Sequence, residues 1–145
     1  MPSLAGYISY LRNVVGISTV YLPDNNPVIA SSYAISIEIV NITLASISAN
    51  IYELCVYNLA TDNLINFAQD QSGQSYFIDL RASFKINSFV PGVISDSHDE
   101  TTGQSLLNPE FMKNLTMANL QMLKTPYGRN YMGLAQSYGT LWGST

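Results

Sequence analysis

Charge is scarce in this sequence of 145 residues: Asp, Glu, Lys and Arg make up 11% of it, with 6 cations, 10 acids and a single histidine. Soluble domains carry roughly 25%. Asn, Ser, Thr and Gln stand in the vacant places, so the surface is not kept soluble by charge in the ordinary way. A net charge of −4 and a pI near 4.6 exclude nonspecific nucleic-acid binding, which needs a basic surface. Cys55 is the only cysteine, which excludes an internal disulfide and a multi-cysteine metal site. No apolar run reaches the roughly 18 residues of a membrane span. The most hydrophobic stretch, Pro27 to Ala60, is interrupted by Glu38, Asn41, Asn50 and Glu53, so it reads as a pair of buried helices. Met1 to Gly16 has no basic segment followed by a sustained apolar one. The expectation is a soluble protein that is neither secreted nor membrane-bound.

Apolar residues are in normal supply, at 47%, enough for one domain with a real core. Ten tyrosines add side chains with a large apolar body and a polar tip, a type enriched at interfaces. Together with the low charge, this composition points to a subunit whose outside is covered by partners. The charges are also unevenly placed. Between Asn13 and Leu80 stand Asp24, Glu38, Glu53, Asp62, Asp70 and Asp79 with no Lys or Arg, whereas Phe111 to Thr145 holds Lys113, Lys124 and Arg129 with no acid. Such polarity could dock neighbouring copies.

Periodicity predicts helices throughout. Ser3 caps a first helix to about Val15, with Leu4, Tyr7, Ile8 and Leu11 on one face and Gly16 as its stop. Asn26-Pro27 opens a second helix to about Val40, with Ile29, Tyr33, Ile37 and Val40 inward. Ser48 caps the longest helix, which ends near Asp70; Ile51, Leu54, Cys55, Leu59 and Phe67 form its expected buried stripe. Gln71-Ser72-Gly73 breaks it. Residues 76–86 fit both periods and are assigned to helix, because a lone strand has no adjacent partner; a minor β element is the alternative. A long polar loop follows Phe89-Val90-Pro91-Gly92, with Asp96, Asp99 and Glu100 around His98. Thr116 caps a helix carrying Leu120 and Leu123, and Thr125-Pro126 starts a last one through Tyr127, Tyr131, Leu134, Ala135 and Tyr138. The reading is all-α: a small helical bundle with long connecting loops, one domain over 1–139 and an extended, flexible C-terminal tail over 140–145 that contains Trp142.

Residues for chemistry are hard to find. A nucleophile would need a Ser or Cys beside a His, but His98 lies in an acidic loop and Cys55 on an inward stripe. No G-x-S-x-G elbow or Walker-type phosphate loop occurs. Asp96, His98, Asp99 and Glu100 are metal-ligand types, yet Thr101 stands where an EF-hand needs glycine. Glu38 and Glu53, in otherwise apolar helices, serve equally well on a polar edge or toward a neighbouring subunit. No catalytic residue, metal or cofactor is assigned, and the expectation is that the protein is not an enzyme.

Several strings carry a resemblance. Tyr52-Glu53-Leu54-Cys55-Val56-Tyr57-Asn58-Leu59-Ala60-Thr61-Asp62-Asn63-Leu64 and its continuation to Asp70, then Phe77-Ile78-Asp79-Leu80-Arg81, Gly92 to Thr101, Asn114-Leu115-Thr116 and Leu120 to Arg129 are together similar to a family of small virion proteins of tailed bacteriophages. The order and spacing of the strings, from about Pro27 onward, make the likeness. It implies a head–tail adaptor, or connector: a cyclic homo-oligomer of about twelve copies that follows the symmetry it docks on. Its partners would be the portal protein and tail, nozzle or neck proteins, and double-stranded DNA would pass through the lumen without specific binding. It would be made in the host bacterial cytoplasm and act in the virion, with no membrane. In that family the loop before Asp99-Glu100 is richer in serine, so His98 receives no shared role. The candidate interface residues are Asp96, His98, Asp99 and Glu100 in the loop, Lys124, Arg129 and Tyr131 near the last helix, and Trp142 in the tail. The competing readings are another virion part, such as a tail-completion or capsid-associated protein, and a small metal- or ligand-binding module using the 96–100 loop.

Overall fold

A computed structural model describes residues 1–88, 96–98, 103–105 and 117–138. The chain is an all-α bundle. Its helices are α1 (Leu4–Tyr10), continued by a π-helical turn (Leu11–Val15), α2 (Pro27–Ile39), α3 (Leu44–Ile47), α4 (Ala49–Phe67), α5 (Tyr76–Ser83), α6 (Met117–Met122) and α7 (Pro126–Ser137). Part of the expected acidic loop is instead a small hairpin, β1 (Asp96–His98) against β2 (Gly103–Ser105), antiparallel with Ser97 opposite Gln104. Residues 76–83 are helical, so the alternative of a strand there does not hold.

The helix starts follow the expected capping chemistry. Ser3 Oγ accepts from Gly6 N at 3.0 Å, Asn26 Oδ1 from Val28 N at 3.0 Å, Ser48 Oγ from Ile51 N at 3.4 Å and Thr125 Oγ1 from Gly128 N at 2.9 Å. Each satisfies one of the donors that a helix start leaves without an intrahelical partner. Gly16, at φ 82°, closes the first helical segment in the left-handed conformation that costs glycine nothing. At α5 the cap comes from a distance: Asp70 Oδ1 and Oδ2 accept from Phe77 N at 2.7 Å and Ile78 N at 3.0 Å. On the same helix Arg81 reaches back to the Ile65 and Ala68 carbonyls at 3.1 and 2.7 Å, placing a cation at the C-terminal end of α4.

Helix α4 is the axis of the fold. It packs against α2, α3, α5 and α7, and every residue from Cys55 to Asp62 is buried. A helix surrounded on all sides needs no polar face. Two members of the expected stripe are nevertheless outside: Leu54 is 42% exposed and Phe67 69%. On α2 the inward side is Ile29, Ser32, Ser36 and Val40, with Tyr33 and Ile37 half-buried. The two serines return their hydroxyl protons to the helix, Ser32 to Ile29 O and Ser36 to Ser32 O, so small polar residues fit where α2 meets α4.

Tyrosines are largely used inside. Tyr7 stacks on Tyr33 at 5.9 Å and packs on Tyr57 at 5.7 Å, and Tyr10 meets Tyr57 at 5.5 Å, which ties α1 to α2 and α4. Tyr21 stacks on Tyr76 at 4.4 Å. Internal packing therefore accounts for much of the tyrosine content that composition alone assigned to interfaces.

The loop between the π-helical turn and α2 is held by one side chain. Arg12 donates to Ile17 O at 2.7 Å, Leu22 O at 2.6 Å and Asp24 Oδ1 at 3.1 Å. A lysine cannot reproduce that planar fork. Arg12→Lys is expected to cost about 1–3 kcal/mol, read as a lower urea midpoint at unchanged slope; a midpoint equal to the parent's would mean that the loop is held otherwise.

Candidate functional site

The buried polar centre of the molecule lies where α7 begins against α4. Asp62 faces inward on the same stripe as Cys55 and Leu59 and is 3% exposed. Across from it, Thr125 performs two tasks with one oxygen. It accepts from Gly128 N, capping α7, and it donates its own proton to Asp62 Oδ1. The other carboxylate oxygen, Oδ2, has Asn66 Nδ2 at 3.5 Å, the far limit of a hydrogen bond. Gly128 permits this approach. A Cβ there would fall on the Met122 carbonyl oxygen and 2.8 Å from Asp62 Oδ1.

Burial pushes the Asp62 carboxyl up to about 6, against the smaller opposing effect of the Thr125 hydrogen bond. The native chain then holds a proton that the unfolded chain, with an ordinary carboxyl near 3.8, has already released. That contribution to stability is complete below about pH 3.8 and is lost as pH rises through about 6. The loss is expected to be at most about 3 kcal/mol between pH 4 and pH 7. Asp62→Asn should flatten this slope in urea titrations across that range. A slope unchanged by the substitution would place the titration elsewhere.

A groove of about 420 Å³ opens beside Asp62, lined by Asn63, Asn66, Phe67 and Ile86 on one side and by Ala118, Gln121 and Met122 on the other. A second, of about 610 Å³, runs between the π-helical turn, α4 and α7, with Val14, Leu54, Asn58, Arg129 and Gly133 among its walls. Cys55 is buried, and burial pushes its thiol up to about 11, so little of the reactive thiolate exists near neutral pH. Among the described residues no group of three His, Cys, Asp or Glu side chains could hold a metal ion. No helix among them is long and apolar enough to cross a membrane.

The residues singled out from sequence fare unequally. Tyr131 is 2% exposed and belongs to the core; as the inward position of α7 it cannot present a ring to a partner. Lys124 is spent inside the chain, donating from Nζ to Ile86 O at 3.0 Å and to Ser88 O. Arg129 is exposed, with one long contact to Leu123 O at 3.4 Å. Asp96 and His98 sit on β1. Asp99, Glu100, Trp142 and the tail over 140–145 lie outside the described residues. Glu38 is exposed, and Glu53 pairs with the amino group of Met1 at 3.6 Å. Asp62 and Gly128 had no place among the candidates. The available signal was an acid in register with Cys55 and Leu59 on the longest helix, seven residues after the first and three after the second.

No protein-family model, curated protein or solved structure matches this chain.

Proposed function

We propose that this chain is a structural subunit of a tailed-bacteriophage particle, and specifically the adaptor that forms a ring between portal and tail. The observation that carries the proposal is the surface. Ile35 and Ile39 on α2, Ile42 and Ile47 around α3, Phe67 at the end of α4 and Ile78 on α5 are all more than half exposed, in a chain with only 11% charged residues. Exposed branched and aromatic side chains in such number, with little charge between them, are costly for a free monomer and suited to a surface that neighbours cover. The weak net negative charge suits a ring through which DNA slides without adhering. The family resemblance supplies the position within the particle. In this reading the chain has no catalytic role, and its partners are copies of itself, the portal protein and the tail or neck proteins.

Native mass measurement with and without a portal ring tests it. A closed assembly of about twelve copies that forms on the portal is the expected result. A chain that stays monomeric in the presence of portal protein overturns the adaptor assignment.

A further inference from the structure

We propose that the groove between α4 and α6 is a binding site for an arginine side chain presented by another protein chain, with Asp62 as its anionic anchor. The proposal stands on the groove itself and does not require the ring. Three features carry it. The groove combines an apolar wall, Phe67 and Met122, with the side-chain amides of Asn63, Asn66 and Gln121. That is the lining a long cationic side chain needs, since its methylene stem prefers apolar contact and its head prefers oxygen acceptors. Among the described residues Asp62 is the only charged one in the lining, and it is nine-tenths buried or more. Its hydrogen bonding is also incomplete: Thr125 serves Oδ1, while Oδ2 has the single contact with Asn66 at 3.5 Å. A carboxylate offers about four acceptor positions, and among the described residues no cation forms an ion pair with this one.

Arginine fits better than lysine. The guanidinium is planar, weakly hydrated and rich in donors, so it can satisfy Oδ2 and the neighbouring amide oxygens together, at lower desolvation cost than an ammonium. Two cations near the groove are engaged elsewhere. Lys124 is directed to the Ile86 and Ser88 carbonyls and Arg129 toward Leu123 O. Within this chain Arg12 and Arg81 are committed to backbone carbonyls, so a second copy would offer Arg129.

The test uses the full chain and N-acetyl-arginine amide, with N-acetyl-citrulline amide as the neutral look-alike, followed by the side-chain amide NMR signals of Asn63, Asn66 and Gln121. Arginine amide should shift these signals and citrulline amide should not. Because the guanidinium needs the ionised carboxylate, affinity should be about tenfold higher at pH 7 than at pH 5. Asp62→Asn, verified as folded by circular dichroism, should abolish the response, and Glu38→Gln should keep it. Equal shifts with citrulline amide, a pH-independent affinity or an unchanged response in Asp62→Asn overturns the site. If Asp62→Asn does not fold, the citrulline and pH arms decide alone. Sedimentation identifies the source: self-association lost in both Asp62→Asn and Arg129→Ala means a second copy, and probe binding by a chain that stays monomeric means a different protein. A failed adaptor assembly on the portal leaves these probe measurements unaffected.

Discussion

Gly128→Ala is expected to destabilise the fold by about 3 kcal/mol, although alanine is the better helix former by up to about 1 kcal/mol. The two effects have opposite signs and the steric one is larger. The added methyl would fall on the Met122 backbone carbonyl and crowd Asp62 Oδ1. No rotamer change moves a carbonyl, so α7 must withdraw from the C-terminal end of α6, and the crowding at Asp62 Oδ1 disturbs the Thr125–Asp62 hydrogen bond as well. Gly133, in the same helix, is the control. A Cβ there meets nothing within 4 Å, so Gly133→Ala should stabilise by about 0.5–1 kcal/mol. Chemical denaturation of the two variants against the parent is the measurement. Equal, small effects of the same sign would mean that Gly128 does not approach Met122 and Asp62 as closely as described.

Leu59→Ala should cost about 2–5 kcal/mol. Leu59 is fully buried on the helix against which α2, α3, α5 and α7 pack, so the cavity has little room to collapse. Leu54→Ala, five residues earlier on another side of the helix and 42% exposed, should cost under about 1 kcal/mol, because surface truncation removes little buried area. The pair separates the central axis of the bundle from its rim. Similar losses at both positions would show that the Leu54 side of α4 is covered in the molecule as it exists in solution.

The candidate site was partly legible in the sequence. Thr125-Pro126 announced a helix start, and the structure uses Thr125 as that cap. Its second task, donating to Asp62 from 63 positions away, leaves no local trace. The surroundings of Tyr131, which is buried, and of Lys124, which is half-buried, were not legible for a related reason. An aromatic or a lysine on a helix reads the same whether it meets solvent, a partner or the chain's own core, and only the neighbouring elements decide. Tyr131 is buried on the helix that packs against α4, and Lys124 meets the turn after α5.

What the sequence by itself determined is local. Caps, a helix stop at Gly16 and a proline at the first helical position act within a few residues, so Ser3, Asn26, Ser48 and Thr125 each marked a helix start that the structure contains. The all-helical class follows from the same short-range signals. What only the tertiary structure decided is which helix stands in the middle. With α4 enclosed on several sides, its apolar content shows almost no preferred face, so periodicity could not tell Leu59 from Leu54. The burial of Asp62, its raised pKa and the groove beside it arise from the same enclosure. They exist because Gly128 lets α7 close over a carboxylate that, on an isolated helix, would simply face water.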